Sequence, residues 1–255
     1  MNLVVVALAL VAIASPSLGA QRDPHDAQPE RPTVATHAGT VARGWFEIET
    51  GVERDRIDRA TSFTVPIVAK LGVGSHVQIS VLESVGNSAA SPTALGDAAI
   101  GVKWRLLDSA RVLGDFAVLP AVKVPTNSIA HGGTGTTDFG LLLISSRQFG
   151  DVEMDLNAGI IRRTGDGSRA PRSASVWTAS FGGPLGRSFG WTGELYGYPA
   201  TSGPSGARSI VAVLAGPTFT ERAWLVFDAG VIVPVTGPQP RAIYAGGVYN
   251  IGRLF

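Results

Sequence analysis

In the stretch DVEMDLNAGII, Val152, Met154, Leu156, Ala158 and Ile160 occupy one parity, while Glu153, Asp155, Asn157 and Gly159 occupy the other. Successive side chains of a strand point to opposite faces, so this period of two predicts a strand with one apolar and one polar face, and it disfavours a helix. The same two-sided pattern recurs along the chain. Phe46 and Ile48 oppose Glu47 and Glu49; Phe63, Val65, Ile67, Ala69 and Leu71 line one side of SFTVPIVAKL; Val77, Ile79 and Val81 oppose His76, Gln78 and Ser80. Ala98, Ile100, Val102, Trp104 and Leu106 oppose Lys103 and Arg105, and Phe116, Val118 and Val122 oppose Asp115 and Lys123. Further strands are expected in DFGLLLISS, SVWTASFGG, SFGWTGELYGY, from Ile210 to Phe219, from Ala223 to Val233 and from Arg241 to Phe255. Pro66, which cannot donate to a ladder, counts against its strand.

The polar parity decides between a sandwich and a barrel. Glu47, Glu49, Lys70, Lys103, Arg105, Lys123, Glu153, Asp155, Glu194 and Asp228 would all point inward, too many charges for a dry sandwich core. They suit a wet lumen, as pore-lining residues or as pairs across it, whereas the apolar parities named above carry no charge and suit lipid. Connections support this. Tight links such as GVGS, DSARV, RQFG, PLGR and TERA alternate with longer ones: VERDRIDRAT, Ser84 to Leu95, PTNSIAHGGTGTT, TGDGSRAPRSA, PATSGPSGAR and TGPQP. Short periplasmic turns and longer outer loops alternate in this way in outer-membrane barrels. The fold expected is all-β, a transmembrane antiparallel up-and-down β-barrel of about 12 strands. RAIYAGGVYNIGRLF would be its closing strand, paired back to GWFEIET, with Arg253 on the outward parity and reaching toward headgroups. Trp45, Phe116, Phe139, Phe149, Trp177, Phe189, Tyr249 and Phe255 near strand ends are read as interfacial girdles, which Trp104 and Phe227 fit less well.

Three regions follow: residues 1–20 as a secretory signal peptide, 21–43 as a polar, proline-rich periplasmic lead-in, and 44–255 as the barrel. The apolar run from Leu3 to Ala14 is short of the ~20 residues of a spanning helix. Lys and Arg (21) nearly balance Asp and Glu (20), which argues against a nucleic-acid surface. The absence of cysteine excludes thiol catalysis and Cys-ligated zinc. No metal or other cofactor is expected, and the expected partners are outer-membrane lipid, the barrel-assembly machinery and an unidentified small solute.

The segments ERPTVATHAGTVARGWFEIETG, TSFTVPIVAKLGVGSHVQISV, GDAAIGVKWRLL, FAVLPAVKVPT and FGWTGELYG together resemble the outer-membrane transporter family of the MetA pathway of phenol degradation. That resemblance covers nearly the whole chain after the leader, and implies passage of small compounds, hydrophobic or aromatic ones included, through the outer membrane. Arg253 departs from the aromatic or apolar residue that such barrels carry third from the end.

Two other functions compete with transport: a non-conducting structural or adhesive barrel, and an outer-membrane hydrolase. A hydrolase would need a serine, a histidine and an orienting acid, for which only His131 with Ser128 and Asp138 offers material; a solvated loop is the simpler reading. HGGTGTTD lacks the lysine of a phosphate-binding loop. TGDGS around Asp166 reads as a turn rather than a calcium loop, and Glu153 with Asp155 as partners of neighbouring basic side chains. No enzyme is expected.

Overall fold

The computed structural model describes residues 23–31, 33–88, 91–128, 133–165, 171–200, 202 and 208–255. The expected signal peptide, His131 and Asp166 lie outside them. The described strands are β1 (Trp45–Ile57), β2 (Ala60–Gly74), β3 (Val77–Ser88), β4 (Ser91–Leu95), β5 (Ala98–Ala110), β6 (Gly114–Val124), β7 (Asp138–Phe149), β8 (Val152–Arg163), β9 (Ser173–Pro184), β10 (Phe189–Tyr198), β11 (Ile210–Arg222), β12 (Leu225–Thr236) and β13 (Arg241–Arg253). Each pairs antiparallel with its sequence neighbour, β3 passes over the short β4 to β5, and β1 pairs with β13. The result is a closed barrel of 12 strands, whose wall satisfies its ladders strand to strand. The 5-residue β4 is an arm folded back on β3.

Strand parity falls as expected. Phe63, Val65, Ile67, Val102, Trp104, Leu141, Leu143, Leu156, Ile160, Phe227, Val231 and Ile243 are exposed on the outside, while Glu47, Glu49, Lys70 and Lys103 are fully buried on the inside. Pro66 is accommodated by leaving a gap in the β1–β2 ladder between Thr50↔Ile67 and Glu53↔Thr64, where Thr50 Oγ1 donates to the Pro66 carbonyl at 3.1 Å.

Several boundaries differ from the sequence reading. VERDRIDRAT is not a loop: β1 and β2 continue to Ile57 and Ala60, and only residues 58–59 turn, with Asp58 at φ 51°. Ser84 to Leu95 is likewise largely strand. Trp45 shares the inward parity of Glu47 rather than the lipid-facing one, and its ring lies 4.8 Å from that of His25. Arg253 is also reassigned. A bulge makes Phe46 partner Gly252 and Glu47 partner Asn250, so Ile251 is the extra residue and Arg253 returns to the face of Trp45. Gly252 permits the bulge at φ 144°, and Gly44 at φ 82° leaves room for the Phe255 carbonyl against the seam. Arg253 then donates from Nε to the Phe255 carbonyl at 2.7 Å.

Candidate functional site

Residues 25–31 and 33–43, expected as part of a periplasmic lead-in, run inside the barrel. They enter at the short-turn end, where Ala27 N–H donates to the Ala223 carbonyl at 2.8 Å and His25 packs between Trp45 and Trp224. They climb to mid-barrel, turn, and descend to Gly44, just before β1. The described residues of the segment form no strand and only a single bridge at Arg43, so their amides need other acceptors. Inward side chains of the wall supply them.

Glu47 accepts the Gln28 N–H at 2.7 Å, and Glu49 accepts those of Glu30 and Arg31, both at 2.9 Å. Glu194, from β10 across the lumen, accepts the N–H groups of Val34 (2.9 Å) and Ala35 (2.6 Å). Asn157 on β8 makes a two-way amide pair with Thr36, accepting its N–H at 2.7 Å and donating to its carbonyl at 2.9 Å. Ser146 Oγ takes the Ala38 N–H at 2.7 Å while donating to Asp155 at 2.5 Å. Gln78 accepts from Val41 at 2.8 Å. Ala38 also packs on Ala117 and Ile144, an inward apolar patch that completes the fit.

Two lysines tie the charges together. Lys70 pairs with both Glu47 and Glu49 and donates to the Gln28 carbonyl. Lys103 pairs with Glu30 and donates to the carbonyls of His37 and Gly39, each at 2.9 Å. Buried charges persist only when paired and hydrogen-bonded, and here each lysine has several acceptors. Burial alone would push the Glu30 carboxyl up, but Lys103 and Lys70 hold it well below the usual carboxylate range, so it stays ionised.

The structure thus separates the ten inward charges into groups. Glu47, Glu49, Lys70, Lys103 and Glu194 hold the segment, and Asp155 does so through Ser146. Lys103 finds its acid on the segment, not on a neighbouring strand. Arg105 pairs at 2.8 Å with Asp108 of its own strand. Lys123 bridges Asp97 (3.4 Å) and Asp138 (3.1 Å) at the long-connection end. Asp97 sits there with its carboxyl below the ordinary range: burial opposes this, and hydrogen bonds from Thr134 and Lys123 outweigh it. Glu153 faces Gln148 and Gly182 instead of a basic residue. Asp228 lies buried on the β12 side. Asp138, the acid of the weighed triad, is therefore engaged by Lys123. Among the described residues no His, Cys, Asp or Glu cluster could hold a metal ion.

Sequence reasoning missed Asn157, Ser146, Gln78 and Asn250 as parts of the site; Asn250 donates to the Pro24 and Asp26 carbonyls, both at 3.3 Å. It also missed an inward apolar wall of Tyr196, Leu214, Ile232 and Tyr244. Inward position was the available signal for all of them.

Gly72 is where the segment leaves the lumen. It forms a parallel bridge with Arg43, its carbonyl accepts the Gly44 N–H at 2.7 Å, and a Cβ would strike the Val41 and Ala42 carbonyls. Overpacking of this kind costs about 1–3 kcal/mol, so Gly72→Ala should loosen the segment roughly tenfold. Because the chain has no cysteine of its own, thiol labelling of a single Ala38→Cys substitution reads this directly. Unchanged labelling would mean that the exit path can shift to accommodate the methyl group.

The fold and the occupied lumen together define an outer-membrane type of β-barrel. Among solved structures, it is similar to an outer membrane channel from Pseudomonas putida F1, with a TM-score of 0.67, 10% identity, and coverage of 86% of this chain and 99% of that one. The KdgM porin in complex with disordered oligogalacturonate is also similar, with a TM-score of 0.55 and 10% identity over 80% of this chain and 99% of that one. At these identities the likeness is one of fold. No protein-family model matches the chain, and no curated protein is similar to it in sequence, so the phenol-pathway resemblance gains no support from either.

Proposed function

We propose that this protein is an outer-membrane channel for small polar solutes that rests closed, with residues 24–43 as its plug. The observation that carries the reading is the set of inward side chains from β1, β3, β5, β7, β8 and β10 that bond the backbone of that segment. A lumen filled for structural reasons alone would be filled by side chains of the wall, as smaller barrels are. Here a separate, mainly polar strand of chain fills it, through bonds that water can replace. The outward apolar face and the porin-like fold support outer-membrane placement, with residues 1–20 as the export leader and the assembly machinery as insertion partner. The polar lining favours polar solutes over the hydrophobic or aromatic ones implied by the resemblance. It also favours a passage over a hydrolytic centre.

Planar-bilayer recording tests this. The parent chain should show rare, brief openings, and a variant lacking residues 24–40 should show sustained steps. If the shortened variant still forms a heat-modifiable barrel but passes no current, the protein is a non-conducting structural barrel.

A further inference from the structure

Above the Glu49 anchor, the plug presents Arg31 to the wall at the closing seam. Gly51 and Gly246 are cross-strand partners there. A Cβ on Gly51 would lie 2.7 Å from Arg31 Nη1, and one on Gly246 would lie 3.2 Å from it, so the paired glycines form a bare floor beneath the guanidinium. Asp228 flanks the floor as the β12 partner of Gly246. Tyr244 stands two residues further along β13, with Glu53 as its partner on β1. Glu49 closes the opposite side through the Arg31 N–H. Arg31 acts electrostatically on Asp228, Tyr244 and Glu53.

The resident cation does not satisfy this cage. Arg31 Nη1, Asp228 Oδ1 and Tyr244 Oη are all buried without a hydrogen bond, although Asp228 is only 7% exposed and Tyr244 only 4%. Buried polar groups left unpaired are costly, and a donor-rich ligand taking the place of the Arg31 guanidinium would relieve that cost at Asp228 Oδ1 and Tyr244 Oη, while the displaced Arg31 is released to other acceptors or water. Two carboxylates and a phenol around a flat, glycine-floored space match a planar guanidinium or a compact ammonium.

We propose that Asp228, Glu53 and Tyr244 over the Gly51–Gly246 floor form a recognition site for a small guanidinium- or ammonium-bearing solute, with Arg31 as its built-in stand-in. The proposal rests on the plugged-channel reading and deepens it: the solute displaces Arg31, and the plug loses one of its ties. A ligand shifts such an equilibrium by its differential affinity for the two states.

Agmatine is a suitable probe, applied to the full chain carrying Ala35→Cys, a buried plug position. Millimolar agmatine should speed thiol labelling about tenfold, and Asp228→Asn or Glu53→Gln should remove the acceleration. Sodium chloride at matched ionic strength and uncharged urea should have no such effect. Acceleration equalled by sodium chloride, or unchanged in both variants, or absent altogether, overturns the proposal; titration calorimetry of agmatine on the cysteine-free chain should show binding that Asp228→Asn abolishes, and its absence would equally overturn it. Labelling and calorimetry read the site without current. A barrel that never conducts can still bind agmatine, and one that conducts when shortened can still fail to bind it.

Discussion

Replacing Lys70 with methionine is expected to destabilise the folded barrel by about 3–5 kcal/mol, the largest effect of any single substitution in the lumen. Lys70 has no exposed surface, and neither do its partners Glu47 and Glu49. Methionine fills much of the same volume but leaves two carboxylates buried two residues apart on one strand face. It also deprives the Gln28 carbonyl of its donor. The comparison that isolates the charge is the triple substitution Glu47→Gln, Glu49→Gln, Lys70→Met. Glutamine keeps an acceptor for the plug amides while removing the ionic imbalance, so most of the lost stability should return. The measurement is the urea midpoint of detergent-folded protein, followed by heat-modifiable migration. A Lys70→Met midpoint within error of the parent would show that the carboxylates simply take up protons at no appreciable cost.

Glu194→Leu should have the largest effect on opening. This side chain, across the lumen from β1, receives two successive N–H groups of the plug, those of Val34 and Ala35. The Ala35 N–H is buried and loses its only strong acceptor, while Val34 is partly exposed and can turn to water, so its loss counts for less. An unsatisfied buried donor costs about 1–3 kcal/mol, which predicts an open population raised roughly five- to 150-fold. Glu194→Gln retains one acceptor oxygen and should fall between the parent and Glu194→Leu. Single-channel opening frequency is the readout, and equal frequencies for Glu194→Leu and the parent would remove Glu194 from the closing mechanism.

The barrel was legible in the sequence because lipid forces a rule on it. Wherever a strand faces hydrocarbon, one parity must be apolar, and DVEMDLNAGII or SFTVPIVAKL displays that directly. VERDRIDRAT was misread because, past the lipid, both faces of a hairpin are wet. Backbone pairing such as Arg56↔Thr61 and Ile57↔Ala60 continues there with no periodic signature. The plug was hidden for a different reason. QRDPHDAQPERPTVATHAGTVAR has no period, and where it is described its backbone is bonded by side chains rather than by strands. The signal that could have found it is the imbalance of the inward charges, in which the six acids Glu47, Glu49, Glu153, Asp155, Glu194 and Asp228 outnumber the four bases Lys70, Lys103, Arg105 and Lys123. Arg253 was misplaced because a single extra residue at Ile251 inverts every parity after it.

The way the plug is bonded also implies an order of events during biogenesis. Its bonds to Glu47 and Glu49 span only 18 to 19 residues of chain, and the Lys70 to Glu49 bond spans 21. Its bonds to Glu194 span 159 and 160 residues, and those of Asn250 span 224 and 226. Nearby contacts close small loops and form early, whereas distant ones wait for the rest of the chain. The first hairpin can therefore gather the plug while the nascent sheet is still open, and the last strands then wrap around an occupant already in place. On this route, the barrel is born closed, and a cell inserting it need never carry an unguarded hole.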